Sequence, residues 1–548
     1  MLIRSALAAC LLATAAVAQT RETLTIGITQ YPATLHPSIE AMAAKSYILG
    51  FTRRNLTTTD ADWKLVCLAC ESLPSFENGG AVRETTPDGK AGVAVTFRIR
   101  EGMRWGDGRP VSADDITFAW EAGRDPNSGI GPAELYRSLW KITVVDPRTV
   151  TLHSDKLTFE YNSAGDLNPL PAHLEREVWQ ADPRAYRTRT RYDTDSFNPG
   201  LWNGPYRVAA KETGASVTLA RNEAWSGPAP VFNRIIVRTV ESTPALEANL
   251  LAGQVDMIAG ELGLPLDQAL ALQKRTRDRF RFEYRPGLIY EHIDLNLDRP
   301  PLSDRRVRQA LILAVDRTAI SQRLFEGRQP VAHSAVNPLD GVFDPDVPTW
   351  PYDPARAAAL LDEAGWRRGA DGIRAKEGER LTLELMTTAG NRVRELVQQV
   401  LQGAWRQIGV EVRIRNEPPR VFFGETVRQR RFQMAMFAWI SSPENVPRTT
   451  LHSEEIPTEA RNWSGQNYPG FRNAEMDRII EDLPVTLDLA ARKPLWARLQ
   501  AIYAEELPAI PLFFRADAHI WPRWLAGVRP TGHQFPSSLW VEDWRVAQ

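Results

Sequence analysis

Segments of strand period and segments of helix period alternate along nearly the whole chain. That alternation restricts the fold to a mixed α/β class. The densest passage is FRIREGMRWGDGRPVSADDITFAWE (97–121). Val95 to Arg100 alternates as a strand, and Gly106-Asp107-Gly108 breaks it as a turn. Ser112 then caps a helix whose first turn carries Asp114 and Asp115, where the helix dipole favours acid. LTIGITQYPATLHPS (24–38) reads as a first strand running into a loop. WKITVVDPRTVTLHS (140–154) reads as a hairpin turning at Asp146-Pro147. A strand region follows at 204–220 and another at 234–239. SDRRVRQALILAVDRTAISQRLF (303–325) has the period of one amphipathic helix capped by Ser303 or Asp304, and DPARAAALLDEAGW that of a second, ended by Gly365. LTLELMTTAG is a strand, RVRELVQQVLQGAWRQIGVEVRIRNE a helix feeding another strand, and a last helix near Leu489 to Glu506 leads into AIPLFFRADAHIW.

At 548 residues the chain exceeds what one hydrophobic core holds, so two or more domains are expected, joined by short crossovers because no low-complexity linker is visible. A formal net charge of -1 gives no footprint for nucleic acid or an anionic membrane. The opening MLIRSALAACLLATAAVAQT has the order of a secretory signal: Arg4, an apolar run from Leu7 to Val17, and the small-residue site Ala16-Val17-Ala18. Residues 1–18 are therefore expected to be removed near Ala18, leaving a soluble exported chain. Leu7-Ala8-Ala9-Cys10 looks like a lipoprotein box, but only nine residues precede Cys10, so anchoring there is not expected. No later apolar run is long enough to span a bilayer.

Cys67 and Cys70 form a C-x-x-C pair with three readings: a redox pair, half a zinc site, or a small disulfide. Zinc needs two further ligands, and the eight histidines are scattered with no second cysteine pair. A redox pair normally opens a helix after a strand, whereas this one sits in WKLVCLACESLP, just before a proline. In an exported chain a short structural disulfide is the expected outcome, contributing modestly to stability.

The motifs of familiar enzymes are missing. There is no G-x-S-x-G, H-E-x-x-H, Walker loop or G-x-G-x-x-G after a strand, and no two histidines lie within five residues. The acid pairs Asp114-Asp115 and Glu454-Glu455 suit a capping turn and a solvated surface. This shifts weight from catalysis to binding, with no cofactor and no metal expected. The 17 tryptophans include Trp439, Trp463, Trp521, Trp524 and Trp540 at strand ends or in loops, where an aromatic ring packs or walls a pocket. In RRFQMAMFAWISSPENVP a strand places Phe432, Met434, Met436 and Ala438 on one face and then turns polar at Ser441-Ser442-Pro443.

Taken together, these passages resemble the extracellular solute-binding family 5 of ABC importers, the periplasmic oligopeptide- and dipeptide-binding proteins and their relatives for nickel, glycans and modified peptides. The resemblance rests on residues 97–121, Asn203-Gly204-Pro205-Tyr206, Arg221-Asn222-Glu223-Ala224-Trp225, Gly253-Gln254-Val255-Asp256, LNLDRPPLSDRRVRQALILAVDR (295–317) and YDPARAAALLDEAG (352–365). It covers essentially the whole mature chain in order. These motifs are mostly scaffold, so they identify the family and say little of the ligand.

The resemblance implies a two-lobed clamshell of mixed sheets, with a discontinuous lobe I (19–62, 203–288 and 520–548), an inserted extra domain (63–202) and lobe II (289–519). It implies a monomer that captures a peptide or peptide-like solute between its lobes and offers it to the permease, breaking no bond. The alternative is a non-peptide solute, such as a glycan, a modified peptide or another polar metabolite, in transport or chemosensing.

In the family's peptide binders an aspartate just after the strand-end tryptophan pairs with the ligand amine. Aligned on Trp439, that position is Ser442. A hydroxyl is only a neutral acceptor, and Glu444 lies beyond Pro443, so the ligand is expected to lack a free α-amine or to present it elsewhere. Candidate ligand contacts are Trp439, Ile440, Ser441 and Ser442; Gln30, Tyr31 and Thr34 after the first strand; Tyr290 and His292; Arg392; and Trp463, Gln466 and Asn467 in WSGQNY.

Overall fold

One ten-stranded mixed sheet runs through the molecule, and both halves of the chain are built onto it. The computed structural model describes residues 21–131, 133–276 and 278–547, so the expected signal segment 1–18 and Cys10 lie outside the described residues. In chain order the strands are β1 (Thr23–Ile28), β2 (Tyr206–Glu212), β3 (Ser216–Arg221), β4 (Arg234–Thr239), β5 (Met257–Ile258), β6 (Phe280–Leu295), β7 (Thr382–Met386), β8 (Glu411–Ile414), β9 (Met434–Ile440) and β10 (Ala509–Pro522). Across the sheet they lie in the order β8-β7-β9-β6-β10-β5-β1-β4-β3-β2. β1 is parallel to β4 and β5, β7 is parallel to β8 and β9, and β6 is antiparallel to β9 and β10.

Two strands carry the connection between the halves. β6 has 16 residues and β10 has 14, against about 5–6 for an ordinary strand. β5 meets β10 at Ile520, and β9 joins β6 only from Ile289 onward. Between those points the sheet narrows to β6 and β10 alone. The pairing there is irregular, with register shifts between Pro286 and Tyr290 and between Glu291 and His292. On one side of this waist, residues from Leu24 to Leu262 join Trp521 to Trp544 in a continuous core. On the other side, a second core runs from Leu266 to Phe513, and a third forms under the helices Ala474–Val485 and Leu489–Glu506.

A separate four-stranded antiparallel sheet, in the order Ala81–Thr85, Ala91–Arg98, Thr149–Ser154, Leu139–Asp146, contains the hairpin expected at 140–154. The helix expected after Ser112 is Ala113–Arg124. Its Asp115 ties the passage together, accepting from the Ser112 N–H (2.8 Å), the Trp105 indole (3.0 Å) and the Ala172 N–H (2.9 Å). Cys67 and Cys70 are joined by a disulfide with a Cα–Cα distance of 5.2 Å. Among the described residues no cluster of three or more His, Cys, Asp or Glu could hold a metal, and no helix is long and apolar enough to cross a membrane.

Three expected elements differ in detail. The run 303–325 is two helices, Arg305–Leu313 and Arg317–Phe325, because Asp316 caps the second by accepting from the Ala319 N–H (2.8 Å). The region 204–220 is a hairpin, β2 and β3, turning at Gly214 with a φ of 77° that glycine adopts freely. β9 starts at Met434, two residues after the expected Phe432, and Trp439 and Ile440 still belong to it.

Asp115→Ala strands three buried or half-buried donors, so chemical denaturation is expected to show a loss of about 3 kcal/mol. Asp114→Ala removes an exposed pair with Arg176 and is expected to stay within about 0.5 kcal/mol of the parent. Equal losses would remove Asp115 from its role as the organising group.

Candidate functional site

The waist opens into a cavity of about 750 Å³. Its floor is made by Glu291 of β6 with Arg515 and Asp517 of β10, and its walls by Leu264–Gln268, by Met436 of β9 and by the loop 388–391 leading into the helix Arg392–Gln407. Arg392 and Arg394 from the first turn of that helix line the cavity, while the Asn391 side chain caps it by accepting from the Arg394 N–H (3.1 Å).

Glu291 is 2% exposed and lies between two guanidiniums. Arg394 donates to it twice, at 3.2 and 3.1 Å, and Arg515 donates to the same carboxylate from the neighbouring strand. Burial alone would raise the Glu291 carboxyl, but Arg515 and Arg394 outweigh it and hold it below the usual range. Asp517 has the opposite balance. Burial first, and then the nearby Glu261 carboxylate, push it up to about 7 against the pull of Arg515. The cavity therefore holds three arginines against Glu291, Asp267 and a carboxyl that is half protonated near neutral pH.

A strand edge lies open beside this cavity. β7 pairs with β9 only as far as Ala435. Beyond it the Thr387 hydroxyl donates to the Met436 carbonyl (2.7 Å), and among the described residues no strand continues along that side. Ser441 N–H donates to Leu288 O (3.3 Å), which fixes the alternation: the N–H and C=O groups of Ala438 and Ile440 point away from β6. Ile440 is 77% exposed. On the other face Trp439 stacks on Tyr468 (centroids 5.9 Å apart, 19° between planes) and meets Phe437 edge-on.

Behind Trp439 lies a second, small cavity of about 30 Å³, lined by Tyr290, His292 and Asp294 from alternate positions of β6 and by Thr450 and Gln466.

The candidate residues fall into two groups. Trp439, Ile440, Ser441, Tyr290, His292 and Gln466 gather around the end of β9, with Ser442 half-buried after it, and Arg392 stands across at the large cavity. Others are engaged elsewhere. Thr34 is buried and donates to Asp193 (2.8 Å). Asn467 is fully buried, with its amide held by the carbonyls of Leu451, His452 and Phe471, so it shapes its loop. Trp463 is half-buried at a φ of 57° and offers its carbonyl to Arg428 (3.4 Å). Gln30 is exposed and Tyr31 half-buried just past β1, whose C-terminal end points toward the waist. Glu444 is paired with Arg492 (2.9 Å), while its N–H donates to Asp340 (2.8 Å).

Sequence reading passed over Glu291, Asp294, Arg394, Arg515 and Asp517, while Tyr468 closes the WSGQNY loop already singled out. A signal was present for the first two, since Y-E-H-I-D places three polar groups inside what is otherwise a core strand.

Comparison with known proteins agrees with this architecture. The oligopeptide-binding protein AppA of Bacillus subtilis is 25% identical over 511 residues, covering 90% of this chain and 86% of its own. The periplasmic oligopeptide-binding protein OppA of Salmonella typhimurium is 24% identical, covering 82% and 81%. The crystal structure of an oligopeptide-binding protein from Thermus thermophilus complexed with a pentapeptide superposes with a TM-score of 0.69 at 27% identity, covering 95% of this chain and 96% of that one. Residues 77–455 match the family described as bacterial extracellular solute-binding proteins, family 5 Middle. The chain belongs to family 5 of the bacterial extracellular solute-binding proteins.

Proposed function

We propose that this chain captures a peptide in the cleft at the waist and delivers it to the permease of an ABC importer, acting as an exported periplasmic monomer with residues 1–18 removed. The observation that carries this reading is the open edge of β9. Ala438 and Ile440 offer unpaired N–H and C=O groups beside a cavity of about 750 Å³, which is the requirement for adding an extended peptide as a further strand. Main-chain pairing is indifferent to side chains, and Trp439 supplies apolar surface next to it. The names of the relatives, which describe oligopeptide binders, support the same reading. No covalent chemistry is proposed at the site.

The lobes are proposed to meet at the waist, with 289–295 of β6 on the lobe II side, and to close by flexing β6 and β10 there. A ligand that touches both sides favours the closed form by its better fit to it. The arginine-rich cavity is the proposed seat of the peptide's carboxylate, with Arg392 and Arg515 facing it.

Calorimetry with a panel of tri- to pentapeptides is expected to show binding, weakened roughly tenfold to a hundredfold by Trp439→Ala. Failure of every peptide to bind while a glycan or metal chelate binds would sink the reading. The carboxylate assignment has its own test. Protonating Asp517, whose carboxyl titrates at about 7, removes a negative charge from the cavity. Affinity is therefore expected to rise roughly threefold to tenfold between pH 8 and pH 6. Asp517→Asn imitates the protonated form and is expected to hold the low-pH affinity throughout; an unchanged pH slope in that variant would move the carboxylate elsewhere.

A further inference from the structure

The small cavity behind Trp439 contains two hydrogen-bond acceptors with nothing to accept. His292 and Asp294 are 1% and 4% exposed. The His292 Nδ1 lies 3.2 Å from the Tyr290 carbonyl. A carbonyl can only accept, so Nδ1 carries a hydrogen, and Nε2 is the ring atom that faces Asp294. That Nε2 is 3.2 Å from the Asp294 carboxylate but makes no hydrogen bond to it. Neither His292 Nε2 nor Asp294 Oδ2 has a hydrogen-bond partner.

The ring cannot turn to mend this. It stacks on Tyr290 at 4.9 Å and 5°, and meets Phe437 at 4.6 Å and 65°. The Tyr290 and Tyr503 hydroxyls bond to each other at 2.9 Å. Among the described residues lining the cavity there is no lysine or arginine. A buried carboxylate without a full complement of donors is costly, and it favours whatever cation can reach it.

We propose that this cavity receives a primary ammonium group of the ligand, held by Asp294 and by Nε2 of His292 beneath the ring of Trp439. The inference rests on the reading of the cleft as a peptide site. Size decides among cations. The cavity of about 30 Å³ has room for about one or two water-sized groups. An ammonium is of that size, whereas a planar guanidinium is not. The aromatic walls, Tyr290, Trp439 and Tyr503, add an attraction that a cation gains and a neutral group does not. The charge missing at Ser442 is thus supplied from the neighbouring strand β6. Two sources present this chemistry in a peptide, a lysine side chain and the α-amine.

The test is calorimetry on the full chain, freed of carried ligand by unfolding and refolding. The probes are Ala-Lys-Ala and its norleucine counterpart, each with a free and an acetylated α-amine. Removing the ammonium that fills the cavity is expected to weaken binding at least about tenfold, and Asp294→Asn to bring the two affinities together. The arm in which the loss appears identifies the source. Equal affinities for all four peptides, or a difference that persists in Asp294→Asn, would overturn the proposal. A second measurement is independent of peptide binding. Nitrogen NMR of the ligand-free chain, with His292→Gln to assign the signal, is expected to find a neutral Nδ1–H ring at pH 7.5. An imidazolium there would give Asp294 its own internal cation and overturn the ammonium pocket, whatever ligand the cleft takes. If no peptide binds and the ring is neutral, the peptide reading fails and the acceptor pair stands.

Discussion

The Glu291 carboxylate ties β6 to β10 and to the helix Arg392–Gln407 at the edge of the waist. It sits just past the two-strand waist, where β9 and β10 flank β6, accepts from Arg515 on the adjacent strand, and accepts twice from Arg394 at the start of a helix. Taking these charges out of water costs several kcal/mol per ion, and their mutual attraction offsets that only because the geometry is bidentate and the group is complete. Loss of Glu291 would leave the buried Arg394 guanidinium without its carboxylate. The consequence reaches the binding edge. Arg394 also donates to the Thr388 hydroxyl (3.3 Å), anchoring the chain just after β7 departs from β9. That departure leaves Ala438 and Ile440 without a neighbouring strand. The ion network and the open edge are two results of one local arrangement.

Much of the fold was legible because it is written in local patterns. The passage 97–121 specifies strand, turn, cap and helix within 25 residues, and the structure places them accordingly, with Asp115 collecting donors from Trp105 and Ser112 inside it and from Ala172 beyond it. Where local patterns were silent the reading erred. The apolar period runs unbroken through 303–325, and only the capping geometry of Asp316 shows that the helix restarts. Register across the sheet is less visible still. Glu291 and Arg515 are 224 positions apart in sequence, and nothing in either segment announces the other.

The site was legible in the same uneven way. The strand-end tryptophan and its exposed neighbour could be picked out, because aromatic groups emerging from an apolar strand are few. Polar loop residues were harder. Asn467 and Gln466 look equivalent in WSGQNY, yet one amide is consumed by three carbonyls and the other lines a cavity. Which of two adjacent amides turns inward is set by the loop's backbone, here by consecutive left-handed residues at Asn462 and Trp463. Asp294 was passed over for a different reason. In a strand of alternating faces it looks like the continuation of His292, and only packing reveals that neither group completes the other's hydrogen bonds.

A waist of two strands is the mechanical weakness of the sheet, and the proposed ligand lies against it. Backbone hydrogen bonds cost little to bend where no third strand resists, so β6 and β10 can flex there while both cores stay intact. An extended ligand paired with Ala438 and Ile440 would act as a further strand beside the end of β9, at the margin of the waist. Its ends would meet opposite chemistry. An ammonium would find Asp294 on the Tyr290 face of β6, while a carboxylate would find Arg515 and Arg392 on the Glu291 face. Because adjacent residues of a strand face opposite sides, the alternation of β6 itself sorts the two charges. A ligand carrying both charges would therefore meet both faces of β6 at once.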